Sequence, residues 1–127
     1  MYTILKEFHF SASHQLTHLH ATHQCARLHG HNYIVKVELE GAELDERGFV
    51  FDYGDLWPLK DYIDDNLDHR HLNEVLGGSV ETTAENLAAH LWRKCAEWGW
   101  PVAAVHVSET PKTWATYRER RSKSGGL

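Results

Sequence analysis

Apolar and polar residues alternate from the start of the chain. Over residues 2–14, Tyr2, Ile4, Phe8, Phe10 and Ala12 share one parity, broken only by Lys6. That alternation predicts a strand with one buried face. His14 falls in phase with the same face. Residues 15–28 show no period and read as a loop. From about residue 31 to 41 the alternation resumes, with Tyr33, Val35, Val37 and Leu39 opposite Asn32, Lys36, Glu38 and Glu40. His29 and His31 extend the apolar parity of this second strand backwards.

The period then changes. Leu56, Leu59, Ile63 and Leu67 recur at helical spacing, with Asp52 or Asp55 as a candidate cap and Pro58 tolerated only near the helix start. A second helix is predicted by Thr82 with Glu85 three residues on, a capping box, followed by the stripe Leu87, Ala88, Leu91, Cys95 and Trp98. Gly99 and Pro101 end it. Residues 102–108 and 113–117 read as two strands joined through Glu109, Thr110, Pro111 and Lys112. The order ββααββ predicts an α+β fold, a four-stranded antiparallel sheet carrying both helices on one face.

Composition narrows the function. The 127 residues fit one domain, 1–127, of which about 118–127 form a polar tail. Thirteen Lys+Arg against eighteen Asp+Glu leave a net charge of −5, which argues against a nucleic-acid partner. No apolar run reaches the ~18 residues of a membrane span. Residues 1–7 lack the basic-then-apolar layout of a signal peptide. Two cysteines are too few for a disulfide framework, so a cytoplasmic location is the expectation.

Eleven histidines are the unusual feature. Seven fall between positions 9 and 31: His9, His14, His18, His20, His23, His29 and His31. His29 and His31 point the same way on a strand, and His14 leaves the matching face of its neighbour. If the two strands pair antiparallel, the three imidazoles converge, a set that suits Zn²⁺ with one open position. The plain alternative is strand-end histidines bonded to backbone. Cys25 is open to three readings: a fourth zinc ligand, an inert thiol, or a thiolate favoured by Arg27 and a metal. Asp68-His69 reads either as an acid/base couple or as an ordinary helix end, and spacing alone favours the latter. Glu85 is explained by the capping box. Glu109 shares the parity of Val105 and Val107, which places it inward at a strand end or in a solvated turn. An inward carboxylate there suits a guanidine-like heterocycle.

Taken in order, Phe10-Ser11-Ala12-Ser13-His14, Cys25-Ala26-Arg27-Leu28-His29-Gly30-His31-Asn32-Tyr33, Phe51-Asp52-Tyr53, Leu67-Asp68-His69, Thr83-Ala84-Glu85-Asn86-Leu87 and Val107-Ser108-Glu109-Thr110 run from residue 10 to residue 110. This series resembles the 6-pyruvoyl-tetrahydropterin synthase family. The short Cys-x-x-x-His-Gly-His spacing is most like its 6-carboxytetrahydropterin synthases of queuosine biosynthesis. The resemblance implies the tunnelling fold (T-fold), whose subunits join sheets into a barrel with sites at subunit interfaces. It also implies a homo-oligomer built from trimers, such as a hexamer.

By the same resemblance, His14, His29 and His31 hold Zn²⁺, Cys25 is the general base, and Asp68 with His69 is its proton relay. Glu109 anchors the pterin ring, and Thr83 and Glu85 line the pocket. The implied substrate is 7,8-dihydroneopterin triphosphate; Arg27 and Lys112 are candidates for its phosphates. The implied products are 6-carboxytetrahydropterin, acetaldehyde and triphosphate. A pyruvoyl-forming synthase, a non-catalytic zinc- or pterin-binding subunit and a zinc hydrolase are the competing readings.

Overall fold

The computed structural model describes residues 1–78 and 80–119. Most of the expected polar tail, residues 120–127, lies outside the described residues. The alternating segments form the strands β1 (Tyr2–His14) and β2 (His29–Gly41). They pair antiparallel along their whole length, from Tyr2 opposite Gly41 to His14 opposite His29. Register follows from pattern here: a slip by one residue would turn Phe8, Phe10, Val35 and Val37 towards solvent.

Three helices follow in the chain: α1 (Trp57–Asn66), α2 (Leu72–Val75) and α3 (Ala84–Glu97). Between the first two lies β3 (Arg70–His71); β4 (Val102–Thr110) and β5 (Thr113–Tyr117) close the chain. The sheet has five strands in the order β3-β1-β2-β4-β5. The expected four antiparallel strands are all present. The difference is β3, two residues that pair parallel with Ala12 and Ser13 of β1.

Two local expectations change. Asp52 caps a 3₁₀ turn, Tyr53–Leu56, by accepting the Gly54 N–H at 2.8 Å, and α1 starts only after that turn with Pro58 in its first positions. A proline there costs nothing, because the first helical N–H groups have no intrahelical acceptor. The cap of α3 is Thr83, not Thr82: its hydroxyl accepts the Asn86 N–H at 3.2 Å. At the other end Gly99, with φ +80°, takes the left-handed turn that ends the helix.

One apolar cluster joins these elements. Phe8, Phe10, Val35, Val37, Leu39, Val105 and Val107 of the sheet pack on Leu59, Ile63, Leu87, Leu91 and Cys95 of the helices. Full burial of each such side chain contributes ~1.5–3 kcal/mol. Cys95 is part of this layer as expected, and burial pushes its thiol up to about 12. Both long helices therefore cover one face of the sheet, and the ends of β1 and β2 bring the histidines to the rim of that covered face.

Candidate active site

Register assembles the histidines. His29 is the rung opposite His14, and His31 is the rung opposite Ala12. All three side chains lie on the helix-covered side, with ring centroids 4.4 Å (His14–His29), 5.0 Å (His14–His31) and 4.8 Å (His29–His31) apart. One nitrogen from each lies within 4.8 Å of the others. His14 is buried, while His29 and His31 are partly open.

Backbone carbonyls set the tautomers. His14 Nδ1 donates to the Thr82 carbonyl at 2.7 Å, and His29 Nδ1 donates to the Arg27 carbonyl at 2.6 Å. A carbonyl only accepts, so both protons sit on Nδ1 and each neutral ring shows a lone pair at Nε2. Those two Nε2 atoms are 2.9 Å apart. His31 Nε2 is buried and has no hydrogen-bond partner, although a Glu109 carboxylate oxygen lies 3.1 Å away. The same oxygen is 3.5 Å from His14 Nε2.

Burial lowers the pKa of His14 and of His31, against the raising influence of Glu109. The protonated forms of those two rings are therefore disfavoured. Electron pairs crowded in this way repel, and a cation among them removes the repulsion. Three imidazoles with a carboxylate beside them suit zinc. The orphaned His31 nitrogen is the observation that fits a metal here.

The other predicted residues occupy different places. Cys25 lies in a 3₁₀ turn, Gln24–Ala26, half-buried, its N–H donating to His23 Nδ1 and its carbonyl accepting from Leu16. It is outside the metal-capable group, which comprises the three histidines among the described residues. Asp68 and His69 sit on the outer edge of β1. Asp68 accepts the Ser11 N–H at 2.9 Å and contacts His69 Nδ1 at 2.9 Å, and the His69 N–H donates to the Ser11 carbonyl. The Ser11 N–H first, and His69 after it, hold the Asp68 carboxyl below its ordinary range. The His69 imidazole is 83% exposed, and its backbone has φ +58°. A depression of about 630 Å³, lined by Ser13, Gly30, His31, Asn32, His69 and His71, borders both the histidine group and this couple.

Thr83 is committed to its cap and Glu85 to the exposed first turn of α3. Arg27 contributes its carbonyl to His29, and its side chain is exposed, as is Lys112 in the β4–β5 turn. Thr82 was not legible as a site residue: two adjacent threonines both fit a cap, and the spare one is buried against His14. Tyr33 was also missed. Its ring stacks on Phe10 at 4.8 Å, and its hydroxyl is buried without a partner. Burial and the nearby Glu109 charge raise the phenol above its ordinary range.

Known proteins share this sheet with its helices on one face. The family model described as 6-pyruvoyl tetrahydropterin synthase matches residues 3–120. A Synechocystis protein named 6-carboxy-5,6,7,8-tetrahydropterin synthase is 37% identical over 123 residues, 92% of this chain and 93% of that one. A Bacillus subtilis protein of the same name is 30% identical over 96% of this chain and 86% of its own length. The solved structure of Caenorhabditis elegans 6-pyruvoyl tetrahydropterin synthase superposes with a TM-score of 0.82 at 28% identity, covering 94% of this chain and 96% of that one. The chain belongs to the 6-pyruvoyl tetrahydropterin synthase family and has its T-fold.

Proposed function

We propose that this chain is a zinc-dependent 6-carboxytetrahydropterin synthase of queuosine biosynthesis. It converts 7,8-dihydroneopterin triphosphate and one water to 6-carboxytetrahydropterin, acetaldehyde and triphosphate. The observation that carries the reading is the convergence of three histidine nitrogens, two with carbonyl-fixed tautomers, beside the Glu109 carboxylate. The curated relatives named as carboxy-forming synthases, aligned over most of this chain, favour that product.

His14, His29 and His31 would hold the zinc, which supplies Lewis acidity towards the hydroxyl oxygens of the substrate side chain. Glu109 takes two hydrogen bonds from the amino-pyrimidinone edge of the pterin and fixes the ring. Cys25 removes the carbon-bound proton, and His69, oriented by Asp68, returns a proton as the side chain is cleaved. The couple faces outward from the β1 edge in one chain. Assembly into trimer-based rings with sites between subunits would bring it to a neighbour's Cys25.

The test is incubation of zinc-loaded protein with dihydroneopterin triphosphate and analysis of both fragments. Acetaldehyde with a 6-carboxypterin is the expected result. A 6-pyruvoyl product would move the chain to the sister activity, and absence of turnover would sink the enzymatic reading.

A further inference from the structure

We propose that the Tyr33 hydroxyl is a positioning group for Glu109, donating a hydrogen bond to its carboxylate once the pterin ring has drawn that carboxylate away from the histidines. The proposal rests on the function proposed above.

Two buried side-chain atoms among the described residues lack a partner: His31 Nε2 and the Tyr33 hydroxyl. They belong to one strand, two residues apart and on one face, with ring centroids 5.6 Å apart. The β2–β4 ladder ends at Ile34 opposite Ser108, so its continuation sets Tyr33 across from Glu109. Glu109 is thus flanked on two sides. It leans on His31 at 3.1 Å and His14 at 3.5 Å, and it leaves the phenol unmet.

A buried hydroxyl without a partner is costly to keep. Phenylalanine would fill the same stacked position on Phe10 at no such cost. A hydroxyl retained there makes sense when it is satisfied in another state of the site. An ionised carboxylate has about four acceptor directions, so Glu109 can accept from the ring's two N–H groups and still take the tyrosine proton. A hydrogen bond made only in the bound state adds to the affinity for the ring without holding the resting carboxylate.

The test compares zinc-loaded wild type with Tyr33→Phe, using neopterin as a probe that lacks the triphosphate. Zinc content and melting temperature are expected to match or exceed wild type, since no resting hydrogen bond is lost. The neopterin Kd is expected to weaken about tenfold, the scale of one hydrogen bond to a charged group, with KM rising in step and kcat within about twofold. In a Glu109→Gln background the same change should have no further effect on neopterin binding.

An unchanged Kd, a fall in kcat at constant KM, or an effect that persists without the Glu109 carboxylate overturns the proposal. So does a loss of fold or stability in Tyr33→Phe, which would show a resting partner for the hydroxyl. Failure of the wild type itself to bind neopterin overturns the functional reading along with this one.

Discussion

His14 and His29 show the same nitrogen because main-chain carbonyls have taken the other. The nitrogens offered to the proposed zinc are therefore selected by the main chain at Thr82 and Arg27, in direct contact with the two rings. Replacing His29 by Ala should strip zinc, to well under half an equivalent by elemental analysis, whereas Cys25→Ala should keep metal and fold. Turnover in Cys25→Ala is expected to fall about a hundredfold or more, the usual contribution of a general base. Full zinc occupancy in the His29 variant would refute the three-histidine site. His69 offers a different probe. A non-glycine residue at φ +58° carries roughly 1 kcal/mol of backbone strain. His69→Gly should thus melt a few degrees above His69→Ala, although both lose the imidazole. Equal melting temperatures would mean that the turn relaxes when the side chain goes.

Among the elements, the long ones were legible and the short ones were not. Thirteen residues of alternation in β1 leave one register that buries Phe8 and Phe10, and that register alone brings His14, His29 and His31 together. Parity with Val105 and Val107 left Glu109 either inward or in a solvated turn, and β4 carries it to the histidines. Two-residue β3 and four-residue α2 span no full period, so no pattern announces them. The location of Asp68 and His69 depends on β3 and was hidden with it.

The α1–α3 contact carries its own prediction. His90 Nε2 meets the Tyr62 hydroxyl at 2.6 Å, and Lys94 stands over the Tyr62 ring. Burial first, then Lys94 and Arg93, depress the His90 pKa, with Glu97 opposing. The folded state keeps His90 neutral while the unfolded chain takes up a proton below about pH 6.5. Stability from this contact is thus present above that pH and is lost as pH falls through the folded pKa. His90→Gln should flatten part of the drop in melting temperature between pH 7.5 and 5. An unaltered drop would place the acid sensitivity elsewhere.

At the scale of the molecule, β3 covers β1 only at Ala12 and Ser13, and β5 is the last strand on the far side. Long uncovered edges are pairing sites for further chains. A solution mass of at least three 14.6 kDa chains is expected by light scattering, and a monomer would contradict the proposed interface sites. No helix among the described residues is long and apolar enough to cross a membrane. The bond from His14 to the Thr82 carbonyl spans 68 positions of sequence and ends just ahead of the α3 cap. Through it, losing a ligand and loosening the start of a helix become one opening event. Deuterium uptake at residues 80–86 should slow when zinc is added, even though none of them binds the ion. The metal would thus act as a brake on backbone breathing at a distance from its own ligands, and uptake indifferent to zinc would show the two openings to be independent.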